Sequence, residues 1–84
     1  MKAPYKLRIK RSAEKELRDL RKNDRARIAR RLERLADDPR PAGCEKLFSE
    51  DCYRIRQGDN RILYTLDDTN RETEIYKIGH RREV

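Results

Sequence analysis

The stretch CYRIRQGDNRILYTLDD, from Cys52 to Asp68, decides the fold. Apolar and polar residues alternate on both sides of Gly58-Asp59, the period of two half-buried strands joined by a tight turn. With a two-residue loop, Ile55 pairs with Ile62, Tyr53 with Tyr64 and Arg56 with Arg61, while Arg54 falls opposite Leu63. Like charges opposed across a hairpin cost roughly a few tenths of a kcal/mol per pair. A face that gathers Arg54, Arg56 and Arg61 therefore gains nothing for folding. It is suited to a polyanion, because guanidinium forks engage phosphate bidentately.

Working outward, a turn around Thr69-Asn70 leads to a third strand over 73–80. Pairing Tyr64 with Tyr76 and Ile62 with Ile78 keeps apolar residues together, as register requires. Tyr53, Ile55, Ile62, Tyr64, Leu66, Tyr76 and Ile78 then share an inner face. Arg54, Arg56, Arg61, Lys77 and, where the strand runs out, Arg81 share the outer one. Leu63 and Ile75 lie among these cations and support the arginine stems. In this register no aromatic joins the basic face, which argues against a plain sequence-specific RNA-binding module.

Toward the N-terminus, PYKLRIKR (4–11) alternates, with Tyr5, Leu7 and Ile9 on one side of a half-buried strand. Ser12 stands where an N-cap would, with Glu14 and Glu16 in the first turn. Asn23-Asp24 interrupts the helical spacing, and Asp24 can cap a second helix carrying Ile28, Leu32 and Leu35. Pro39 and Pro41 end it. The reading is a helical hairpin over about 12–38, with Arg18, Arg21, Arg25, Arg27, Arg30, Arg31 and Arg34 on its exposed sides. Leu47 and Phe48 dock the following connector onto the core. The fold class is α+β: an N-terminal strand, a helical hairpin, then a three-stranded antiparallel meander. The helices pack on one face of a mainly antiparallel four-stranded sheet.

Eighty-four residues allow one domain, 1–84. Charged residues make up 46% and the formal net charge is +7, which speaks for a polyanionic or acidic partner. No apolar run approaches the length of a bilayer span, and no membrane partner is expected. Cys44 and Cys52 fit no zinc spacing. With no signal peptide in view, they read as packing residues in a reduced, cytoplasmic setting.

The order of elements resembles the RelE/ParE superfamily of bacterial toxin–antitoxin toxins. YKLRIKRSAEKELRDL looks like that family's first strand and helix; CYRIRQGDNRILYTLDD and IYKIGHRREV look like its later strands and closing basic motif. For the RelE branch the resemblance implies a metal-independent endoribonuclease, without cofactor, that cuts messenger RNA in the ribosomal A site. It implies a cognate RelB-like antitoxin, the ribosome and mRNA as partners, and operator DNA only through the antitoxin complex. The family's basic positions fall on Arg54, Arg56, Arg61 and Arg81. The alternative within the superfamily is a ParE-like inhibitor of DNA gyrase that is not a nuclease.

Two departures bear on the chemistry. RelE-type toxins often carry lysines where this chain has Arg54 and Arg56, and arginine is a poor general base. The family's closing motif is usually followed by an aromatic residue that stacks on a base; here the sequence ends at Val84. That leaves the role to a longer chain or another residue, or the activity weaker. Attack of a ribose 2′-hydroxyl on the adjacent phosphate would leave a cyclic phosphate and a free 5′-hydroxyl. Arg61 and Arg81 would stabilise the developing charge, with Arg54, Arg56 and Lys77 holding RNA phosphates. For proton transfer there are two candidates. His80 is the only histidine, the side-chain type suited to proton transfer near neutrality, but its strand parity points it to the core side. Glu45 resembles the glutamate before a leucine that related YoeB toxins use as a base.

Overall fold

In the computed structural model, residues 4–47 and 51–80 are described. The elements run β1 (Lys6–Ile9), α1 (Arg11–Arg18), α2 (Lys22–Asp37), β2 (Glu45–Lys46), β3 (Cys52–Gln57), β4 (Asn60–Asp67) and β5 (Glu72–His80). Two helices cover one face of a five-stranded mixed sheet of order β1-β5-β4-β3-β2. The sheet thus has one strand more than the four expected. β2 is a two-residue edge strand pairing Glu45 with Arg54 and Lys46 with Tyr53. β1 lies parallel to β5, with Ile9 beside Ile75. Among the described residues no helix is long and apolar enough to cross a membrane.

The central hairpin has the register its alternation dictates: Tyr53 opposite Tyr64, Ile55 opposite Ile62, Arg56 opposite Arg61. Gly58 adopts φ +61°, with Asp59 absent from the positive-φ residues, the pattern of a type II′ turn. That turn's twist suits the flanking strands, which is why two residues suffice.

The β4–β5 pair departs from the expected register. Ile62 does face Ile78 and Leu63 faces Lys77, but Tyr64 faces Ile75, not Tyr76, and the ladder shifts between Leu63 and Tyr64. Tyr76 is the extra residue of a β-bulge. The cause is spacing. Ile75 and Ile78 are three apart and cannot both face inward on a regular strand of period two. Both are nonetheless fully buried, so one residue must be absorbed between them. Burying two isoleucines is favoured over burying a tyrosine whose hydroxyl would need a partner in the core. Ile75 therefore belongs to the core and not to the outer face, and Tyr76 does the reverse.

The helix boundaries also differ from expectation. Lys10 holds the cap position of α1, so Ser12 lies inside the first turn. The Lys10 amide still donates to the Ile75 carbonyl, which keeps the chain on the sheet until the helix begins. The break between helices falls at Asp19–Arg21, where the Leu20 amide closes onto the Leu17 carbonyl. Arg21 caps α2, and Asp24 sits in the first turn, where a carboxylate favours the helix dipole. Ala13 of α1 and Ile28, Leu32 and Leu35 of α2 pack on Tyr53, Ile55, Ile62, Tyr64, Leu66, Ile75 and Ile78. Phe48, expected to dock the connector, lies outside the described residues.

Two hydroxyls under the sheet are satisfied locally. The Tyr64 hydroxyl donates to the Pro39 carbonyl at 2.8 Å, and the buried Thr73 hydroxyl donates to the Thr65 carbonyl at 3.0 Å. Arg40 clips the chain after α2 to the β4–β5 turn. Its guanidinium donates to both Asp68 carboxylate oxygens, at 3.1 and 2.8 Å, and to the Tyr53 hydroxyl at 3.1 Å. The Tyr5 hydroxyl also donates to Asp68. Arg40, then Tyr5, hold the Asp68 carboxyl down from the ordinary 3.8 to about 2. A carboxylate with a depressed folded-state pKa stabilises the fold above its unfolded value, and that stabilisation is lost as pH falls through the folded one. The melting temperature should therefore fall between pH 4 and pH 2, and Asp68→Asn should flatten that part of the profile. Thermal melts of both proteins across this window check it; identical slopes would remove the clip from acid stability.

Candidate nucleic-acid interface

The face of the sheet turned away from the helices is assembled by strand parity. β3 contributes Cys52, Arg54 and Arg56; β4 contributes Arg61, Leu63 and Thr65; β5 contributes Glu74, Tyr76 and Lys77. Opposite residues in an antiparallel pair share a face, so Arg56 and Arg61 stand side by side, and Arg54 stands beside Leu63. Arg56 is exposed and makes no hydrogen bond or ion pair among the described residues. Arg54 and Arg61 are half-buried.

The unforeseen strand β2 brings Glu45 onto this face. Its carboxylate accepts a hydrogen bond from Arg54 Nη2 at 2.9 Å. Glu45 is the more exposed partner, with 60% of its side chain accessible against 26% for Arg54. The pair thus holds one arginine in a fixed orientation and leaves a carboxylate open to solvent beside the cations.

Lys77 is drawn aside. It lies on the outer parity, but its ammonium reaches Glu16 of α1 at 3.5 Å. The same carboxylate accepts from the Ile78 amide at 3.1 Å, on the edge of β5 beyond the end of β1. His80 is the last residue of β5, paired with Asn60. It lines a cleft with Glu16, Asp19, Arg21, Asp24 and Asp59 on the helix side. It therefore shares the Arg56–Arg61 end of the sheet but occupies the opposite face, as its parity predicts. Arg81 lies outside the described residues.

The outer face is electrically polarised. Arg54, Arg56 and Arg61 crowd the β3–β4 turn end. The β4–β5 turn end carries Asp51, Asp67, Asp68, Glu72 and Glu74 around a second depression, with Arg8 3.9 Å from Glu72 and Arg40 on Asp68 offsetting part of that charge. Between the two lie Cys52, Leu63, Thr65 and Tyr76. Tyr76 shares a shallow open depression with Lys10, Cys52, Thr65 and Glu74. The expectation of a basic face without an aromatic is thereby corrected, and the odd Ile75–Ile78 spacing is the signal that could have revealed it. Among the described residues no three His, Cys, Asp or Glu side chains group as a metal site.

A helical pair on one face of a mixed sheet is the fold of toxins of the RelE/ParE superfamily. The chain belongs to the family described as ParE toxin of type II toxin–antitoxin system, whose model matches residues 7–84. Solved structures agree on the fold. A chain of the RelBE2 toxin–antitoxin complex from Mycobacterium tuberculosis superposes with a TM-score of 0.82 at 25% identity, covering 93% of this chain and 99% of that one. The isolated E. coli RelE toxin gives 0.80 at 24% identity, covering 90% and 83%. The archaeal RelE–RelB complex from Pyrococcus horikoshii gives 0.82 at 24%, covering 96% and 99%. No curated protein sequence matches at significant similarity.

Proposed function

We propose that this toxin is a metal-independent endoribonuclease that cuts messenger RNA in the ribosomal A site and so inhibits translation. The observation that carries the reading is the outward cluster of Arg54, Arg56 and Arg61 with the Glu45 carboxylate beside it. Arginines facing each other across a hairpin gain nothing for folding, whereas a phosphodiester would convert their repulsion into binding. In this reading the ribose 2′-hydroxyl attacks the adjacent phosphorus. Glu45 takes the hydroxyl proton, the bond to the 5′-oxygen breaks as that oxygen takes up a proton from water, and a cyclic phosphate and a 5′-hydroxyl remain. Arg54 and Arg56 orient the backbone, and Arg61 with Arg81 faces the charge developing on the phosphorane, the type of preorganised electrostatics that dominates such catalysis. Lys77, held by Glu16, is left a peripheral phosphate contact. His80, on the helix side, is the weaker proton-transfer candidate. A RelB-like antitoxin is the proposed cognate partner, with acidic or amphipathic segments folding against the basic toxin; operator DNA would be met only through that complex. The setting is the cytoplasm, where ribosomes are.

The test adds purified protein to translating ribosomes and maps the messenger. Cuts at A-site codons with cyclic-phosphate ends are expected; intact messenger with folded protein overturns the reading. The matching family model is described as a ParE toxin, and the ParE-like alternative is inhibition of DNA gyrase. Accumulated gyrase–DNA cleavage complexes with untouched messenger would establish that one instead.

A further inference from the structure

We propose that Tyr76 is a stacking platform for a nucleobase of the single-stranded RNA whose phosphates the arginine cluster holds. The inference rests on the nucleic-acid reading above. Three observations carry it. The β-bulge expels Tyr76 from the core and turns it onto the cationic face. The ring shares an open depression, half-buried and flanked by Lys10, Cys52 and Thr65. The charge around it sorts the parts of a nucleotide. Glu74 in the same depression repels phosphate, whereas Arg61, one strand away, and Arg54, two strands away, attract it from roughly 10 Å at ordinary strand spacing and rise. An aromatic face bordered by cations on one side and a carboxylate on the other takes the uncharged base and leaves the backbone to the arginines. Stacking of this kind accepts any base, since each has a π-face. Burial, followed by the Cys52 thiol, pushes the Tyr76 phenol up to about 12, so the ring carries no charge to repel RNA near neutrality.

The test has two arms. In the first, aromatic proton signals of Tyr76, assigned by difference with Tyr76→Phe, are followed by NMR as the full-length toxin is titrated with oligouridylate. A ribose-phosphate oligomer of equal length without bases is the control. Upfield shifts of the Tyr76 ring with oligouridylate alone, and arginine side-chain shifts with both oligomers, are the expected result. Arginine shifts without ring shifts overturn the platform and leave the phosphate reading standing. No shift with either oligomer overturns both. In the second arm, messenger cleavage on ribosomes is compared among variants. Tyr76→Phe keeps the parent KM, while Tyr76→Leu, which fills similar space without a π-face, raises it about 5- to 150-fold, the range of one base stack. An unchanged KM in Tyr76→Leu with an unaltered melting temperature overturns the platform. Base-dependent ring shifts in a protein that leaves messenger intact support the platform and remove the nuclease.

Discussion

Arg61→Ala should lower the rate of messenger cleavage on ribosomes by about 10²- to 10³-fold, the usual effect of removing one preorganised donor aimed at developing negative charge. Arg61 opens β4 beside Arg56, so its guanidinium is positioned by a strand and not by a mobile loop. Arg61→Lys keeps the charge but loses the fork that engages two phosphate oxygens at once. It should recover only part of the activity, a result that charge alone would not produce. Removing one of two opposed cations also relieves repulsion in the hairpin. Loss of growth arrest in an Arg61→Ala variant whose measured melting temperature is unchanged assigns the residue to chemistry. Undiminished arrest in cells expressing Arg61→Ala removes it.

Glu45→Gln separates proton transfer from orientation. The amide keeps an oxygen that can accept from Arg54 Nη2 but cannot take up a proton at neutral pH. If Glu45 is the base, the single-turnover rate on ribosomes falls about 10²- to 10⁴-fold, the span of general-base contributions, while binding changes little. Glu45→Ala should lose the rate and also release Arg54, weakening RNA binding as well. Equal rates for Glu45→Gln and the parent protein would leave the carboxylate only its ion pair. The electrostatic worth of that pair is modest, since Glu45 is largely exposed and screened.

Much of this arrangement is written in local pattern. Strands β3 and β4 run over 52–57 and 60–67 as the alternation predicts, because a two-residue Gly-Asp loop admits one register and a single-residue slip would bury the arginines. The same parity puts Arg54, Arg56 and Arg61 together and turns His80 to the helix side. What escaped local pattern depends on distant partners. β2 is two residues long, too short for any period, and exists because β3 offers it a free edge; without it Glu45 is an ordinary loop carboxylate. The bulge at Tyr76 follows from the demands of Ile75 and Ile78 on the same core, to which the parallel neighbour Ile9 adds a third vote. The Arg40–Asp68 clip joins residues 28 apart in sequence and has no signature in either segment.

The uneven distribution of charge along the outer sheet face has a kinetic consequence. Arg54, Arg56 and Arg61 gathered at one hairpin end, against carboxylates partly offset by Arg8 and Arg40 at the other, give this face a built-in electrical axis. In the field of a large polyanion such a molecule is rotated during approach, so that collisions begin with the productive end forward. Raising the salt concentration shortens the range of that torque to the Debye length, about 8 Å at physiological ionic strength. Capture of RNA should slow accordingly, well before the contacts themselves are lost.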